Sequence, residues 1–131
     1  MHNHKIYFSG SFNARDQIKL RATEFAARSL GIVTSNWLRE PEVRVEDGRE
    51  EWVLRARANE DRIDVERSDA LVVFTDTPST TGGRHVEVGI ALAHRIPVYV
   101  IGPQENVFHY PSDVQHYRTW KEFLEREYDV T

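Results

Sequence analysis

The sequence predicts an α/β fold of three layers, with a mostly parallel sheet between helices. Two runs, Ala70-Leu71-Val72-Val73-Phe74-Thr75 and Pro97-Val98-Tyr99-Val100-Ile101, are apolar at successive positions. A strand needs that pattern only when both of its faces are covered, as in a parallel sheet. Stretches of helical periodicity separate these runs, and the order along the chain alternates strand and helix.

The elements follow in order. Lys5-Ile6-Tyr7-Phe8-Ser9, closed by Gly10, reads as the first strand. Asn13 is a good N-cap for a helix with Asp16 in its first turn. Ile18, Ala22, Phe25, Ala26 and Leu30 fall at helical spacing, and Gly31 suits the C′ position. Ile32-Val33-Thr34 is a short β-branched strand. Residues 36–49, with Pro41 and Gly48, read as a long loop carrying Trp37 towards a pocket. A charge-rich helix runs from about Glu50 to Arg67, with Trp52, Ala56 and Ile63 on one side.

After the first buried run, Asp76 to Gly83 is a polar loop, and a helix spans about Gly83 to His94 with Val86, Ile90 and Ala93 aligned. The second buried run closes at Gly102-Pro103, and Val107-Phe108 suggests a brief extra strand. Thr119 and Glu122 have capping-box spacing, which starts a last helix carrying Phe123 and Leu124.

The 131 residues are read as one domain, 1–131, large enough for one real core. The net charge of −4 argues against a nucleic-acid polymer bound through bulk charge. There is no cysteine, which excludes disulfides, thiolate zinc sites, iron–sulfur clusters and cysteine nucleophiles. The longest apolar run is far too short for a membrane span, so a soluble, cytoplasmic protein with no membrane partner is expected. Only three of the 17 cationic residues are lysine, and none lies in a Walker A context or at the end of a late strand. The first loop, Gly10-Ser11-Phe12-Asn13-Ala14-Arg15, fails the dinucleotide fingerprint, and no nucleophile elbow occurs. His85 and His94 are nine residues apart, off the spacing of a helical metal pair, so no metal site is expected. His109 and His116 are read as surface or subunit-contact residues.

Ligands of open parallel sheets bind beyond the carboxyl ends of the strands. That rule selects Ser9 to Asn13, Ser68-Asp69 with Asp76 to Gly83, and Gly102 onwards. In Gly82-Gly83-Arg84-His85-Val86-Glu87-Val88-Gly89, Glu87 lies one turn into a helix at that crevice, with Arg84 one turn earlier. The helix N-terminus and the arginine both favour an ionised carboxylate. On spacing alone, Glu87 serves equally well as a complement to the helix dipole, Asp69 as a turn former and Tyr7 as a core aromatic.

Three segments taken together resemble the nucleoside 2-deoxyribosyltransferase superfamily, which includes the 2′-deoxynucleoside 5′-monophosphate N-glycosidases. They are Ile6-Tyr7-Phe8-Ser9-Gly10-Ser11, Ser68-Asp69-Ala70-Leu71-Val72-Val73-Phe74 and Glu87-Val88-Gly89-Ile90-Ala91. The resemblance implies a flavodoxin-like, Rossmann-like fold and cleavage of the N-glycosidic bond of a deoxynucleoside or its monophosphate, with a role in nucleotide salvage. It implies Glu87 as nucleophile, Asp69 as the residue positioning the sugar, and Tyr7 as hydrogen-bond donor to the nucleophile. It also implies no metal and no organic cofactor, and a homodimer or higher homo-oligomer whose site is completed by the neighbour through Asn106 to His116.

Ser9, Gly10, Ser11, Asn13, Asp76, Thr81, Gly83 and Arg84 are the expected substrate contacts, with Asp69 or Asp76 as the acid for the departing base. The nucleotide-cleaving branch looks like Gly-Ser-x-Arg in the first loop, where this chain has Asn13, with Arg15 two residues on. A non-catalytic nucleotide sensor and a hydrolase of NAD-like ligands are the competing expectations.

Overall fold

The computed structural model describes residues 4–41, 43–77 and 82–130. The architecture is α/β, with a five-stranded, all-parallel sheet in the order β2-β1-β3-β4-β5. The strands are β1 (Lys5–Ser9), β2 (Ile32–Val33), β3 (Ala70–Phe74), β4 (Val98–Ile101) and β5 (Val114–Tyr117). The helices are α1 (Arg15–Ala27), α2 (Glu51–Glu66), α3 (Gly83–Ala93) and α4 (Trp120–Tyr128).

Strand alternation divides the core into two layers. Phe8 and Phe74 point to the α1/α4 side, where Phe25, Trp120, Phe123 and Tyr128 form an aromatic cluster with them, largely edge-to-face but with Trp120 stacked on Phe123. Tyr7 and Ser9 point to the other side, under α2 and α3. All five residues of β3 are buried, as expected for a central strand.

β2 pairs with β1 only at Lys5 and Ile6. Beyond that point two side chains finish the edge of β1. Ser35 Oγ accepts from the Phe8 N–H (2.6 Å), and Trp37 Nε1 donates to the Phe8 carbonyl (2.7 Å). Trp37 is therefore buried against the sheet and tilted on Phe12, not presented to a pocket.

Several boundaries differ from the sequence reading, each for a local reason. Ser11, not Asn13, opens the region after β1. Its Oγ accepts from the Asn13 N–H (3.2 Å) and caps a short 3₁₀ turn, Phe12–Ala14, that leads into α1. α1 ends at Ala27, followed by Ser29 in the left-handed region (φ 56°). Val107–His109 is a 3₁₀ turn and not a strand, because Asn106 Oδ1 accepts from the Phe108 N–H (2.9 Å). The last strand is β5, an edge strand with Val114 and Tyr117 buried at its ends and Gln115 and His116 exposed between them. α4 is capped as its spacing predicts: Thr119 Oγ1 accepts from the Glu122 N–H, and Glu122 Oε1 from the Arg118 N–H.

α2 is turned differently from its apolar reading. Trp52 and Ile63 face solvent, whereas Arg57, Asp61 and Asp64 lie half-buried on the side that carries buried Val65.

Candidate active site

The parallel sheet brings the ends of β1 and β3 beside the first turns of α3. Because β1 alternates, Tyr7 and Ser9 lie on one face and both reach the same carboxylate. The Tyr7 hydroxyl donates to Glu87 Oε2 (2.5 Å) and the Ser9 hydroxyl to Glu87 Oε1 (2.5 Å). Tyr7 and Ser9 are fully buried and Glu87 is half-buried. Bonds of this kind, to a charged acceptor, are stronger than neutral ones and fix the carboxylate in one orientation.

The electrostatics are opposed. Burial pushes the Glu87 carboxyl up, the hydrogen bonds from Ser9 and Tyr7 pull it down, and the charges of Asp61 and Asp64 push it up again, leaving it at about 7. The Tyr7 hydroxyl is driven far above its ordinary range, by burial first and then by the charge of Glu87, so it stays a donor. Asp61 is raised to about 6, by burial first and against the pull of Arg57. Its Oδ1 is buried without a hydrogen-bond partner. Asp64 is raised mainly by burial, and hydrogen bonds from Asn36 hold it down.

Asp61 and Asp64 were missed in the sequence. The signal was present in the spacing of Arg57, Asp61, Asp64 and Ser68, which places polar groups on the stripe that holds buried Val65.

The expected site residues fall into three groups. Tyr7, Ser9 and Glu87 are joined, and Gly10 and Ser11 follow directly at the end of β1. Gly10 packs so closely that an added Cβ would lie 2.5 Å from Ile18 Cδ1. Asn13 is exposed on the turn beside them, and Gly83 opens α3 with free space around it. Thr81 lies outside the described residues.

The remaining three are engaged by the protein itself. Asp69 sits at the opposite, N-terminal end of β3, where Oδ2 accepts from the Lys5 N–H (2.7 Å), so the structure does not bring it to Glu87. Arg84 is 3% exposed and turns away from Glu87. It binds both oxygens of Glu105 (2.6 and 2.7 Å) and the carbonyls of Phe74 and Thr77. Asp76 is paired with Arg21 (2.8 Å), whose guanidinium lies over the Phe74 ring. His109 departs from its surface reading: it is fully buried, with Nδ1 accepting from the Glu105 N–H (2.9 Å).

No family model and no curated protein sequence matches the chain. Solved structures do. A 2-deoxyribosyltransferase from Bacillus psychrosaccharolyticus superposes with a TM-score of 0.65 at 21% identity, covering 89% of this chain and 88% of that one. The CMP N-glycosidase BcmB from Clostridium botulinum gives 0.62 at 17% identity, covering 96% and 99%. A conserved protein from Enterococcus faecalis V583 gives 0.53 at 20% identity, covering 87% and 79%. The chain thus has the flavodoxin-like fold on which a deoxyribosyltransferase and a nucleotide N-glycosidase are both built.

Proposed function

We propose that this chain is an enzyme that cleaves the N-glycosidic bond of a 2′-deoxynucleoside or its 5′-monophosphate, with Glu87 as nucleophile. The observation that carries this reading is the Glu87 carboxylate, held at both oxygens beside the crevice of that fold. Burial pushes this carboxyl up to about 7, into the range where a carboxylate at a crevice is a candidate catalytic group.

Breaking a C1′–N bond develops positive charge on the sugar. The ionised Glu87 stabilises that charge and then bonds to C1′ as the bond to the base breaks. The bonding pair leaves with the base, which takes a proton. Asp61 is the proposed acid, half-buried on α2 with one carboxyl oxygen that has no hydrogen-bond partner. Asp76 is the weaker candidate, because its carboxylate is already taken up by the ion pair with Arg21. In the second step a water or a second base attacks C1′, the ester to Glu87 breaks, and the proton of the acceptor returns to Asp61. Water gives the free sugar, and a base gives a new nucleoside.

The enzyme is further proposed to work as a homodimer or higher homo-oligomer. Val86, Val107, Phe108 and Tyr110 are each more than 60% exposed. Val86 and Phe108 also border an apolar cavity of about 290 Å³ between α3 and the 106–108 segment.

The test is incubation with each 2′-deoxynucleoside and its monophosphate, with and without a second free base, beside Glu87→Ala. Free base or exchanged nucleoside from the native chain and none from the variant is the expected result. No release from any substrate sinks the reading, and full activity in Glu87→Ala sinks the nucleophile.

A further inference from the structure

Ser9 occupies an unusual place for a hydroxyl. On its face of the sheet, the register sets it against Val73, with Val100 beyond, and Tyr7 against Leu71. A buried polar group on such a face requires a partner. Ser9 is 0% exposed, and its single proton is given to Glu87 Oε1 at 2.5 Å. It is thus placed to touch the nucleophile and not a substrate, contrary to its expected role as a ligand contact.

We infer that Ser9 is a positioning residue, the hydroxyl that holds Glu87 Oε1 in place and keeps the nucleophile charged at working pH. The kinetic part of this inference rests on the reading of Glu87 as nucleophile. The hydrogen bond itself does not.

Every element packed against the carboxylate supports the need for this donor. From β1 come only the hydroxyls of Tyr7 and Ser9. From α2 come two acids, Asp61 and Asp64, which oppose ionisation. On α3 itself, Arg84 is spent on Glu105, and His85 faces Asn106. No cation is among the largest influences on Glu87, which leaves the two hydroxyls to favour its charged form. Of the two, Ser9 contributes the larger downward pull. The geometry also divides their work. Tyr7 arrives at Oε2 and Ser9 at Oε1, so removing either one frees the carboxylate to rotate about the remaining bond.

Two measurements test this. Carbon-13 labelling of glutamate carboxyls, with the Glu87 signal assigned by its loss in Glu87→Gln, follows the titration directly. Ser9→Ala should move the Glu87 midpoint up by about one pH unit, the worth of one hydrogen bond to a charged group. Ser9→Thr, which keeps the hydroxyl, should restore the native midpoint. Ser9→Cys, with a weak donor, should fall between.

In kinetics, the acid limb of kcat/KM should move up by the same amount in Ser9→Ala. The loss should reach about tenfold below the limb, with activity within about threefold of native above it. An unmoved midpoint in Ser9→Ala, or a loss equal at every pH that threonine does not repair, overturns the inference. If the native chain cleaves nothing, the proposed function fails, while the labelled titration still decides the role of Ser9.

Discussion

At Glu87 stability and activity pull in opposite directions. Its carboxyl is held above the ordinary value, so in the folded chain the charged form is the disfavoured one. The penalty is absent below the ordinary carboxylate range and complete above about pH 7. Glu87→Gln should therefore stabilise the protein at pH 8, by about 1–2 kcal/mol or roughly 5 °C in Tm, and by much less at pH 5. Thermal melts at the two pH values check this, and a variant that melts lower at pH 8 overturns the account.

Asp61 gives a second prediction at this scale. Asp61→Asn should lower kcat on ordinary deoxynucleosides by about 10²–10⁴-fold, the usual worth of a positioned acid. It should lower it far less on 7-methyl-2′-deoxyguanosine, whose base is already cationic and leaves neutral without taking a proton. Equal losses on both substrates would remove Asp61 from the acid role.

At the scale of elements, the end of β1 is finished by side chains and not by a neighbouring strand. Trp37→Phe removes the donor to the Phe8 carbonyl and should destabilise the fold by about 1–2 kcal/mol, read from urea denaturation at unchanged slope. A loss below a few tenths would mean that the carbonyl finds another donor.

The sequence made β1, β3, β4 and all four helices visible, because continuous apolar runs and caps are local signals. β5 was not visible. An edge strand such as Val114–Tyr117 carries no apolar run, while the nearby Val107-Phe108 pair imitates one until the Asn106 side chain turns it into a 3₁₀ turn. The site divided in the same way. Tyr7, Ser9 and Glu87 lie on elements whose faces alternation fixes. Asp61 and Asp64 depend on the rotation of α2, which buries Val65 and leaves Trp52 and Ile63 in solvent. Asp69 was expected from the resemblance, but it precedes β3, and the N-terminal end of a parallel strand lies at the opposite end of the sheet from the crevice.

At the scale of the molecule, the exposed apolar face of α3 and the 107–110 segment is the surface to test for self-association. Val86→Asp combined with Phe108→Glu should convert the proposed oligomer to monomer, as read by light scattering on a sizing column. If the neighbour completes the site, kcat/KM should fall with it at low protein concentration. A native chain that is monomeric at micromolar concentration would end that proposal. Among the described residues no helix is long and apolar enough to cross a membrane.

Phe8 offers one more consequence. It is paired with Val72 on one side and clasped by Ser35 and Trp37 on the other, while its immediate neighbours Tyr7 and Ser9 grip Glu87. A slip of β1 by a single residue would turn both hydroxyls to the wrong face and set the phenyl ring against the carboxylate. The clasp at Phe8 is therefore a ratchet tooth that sets the phase of the strand. During refolding, the chain should stay catalytically silent until the indole has docked, so recovered activity should follow the change in Trp37 emission and never precede it. The other two tryptophans, Trp52 and Trp120, would be replaced by phenylalanine to isolate that signal.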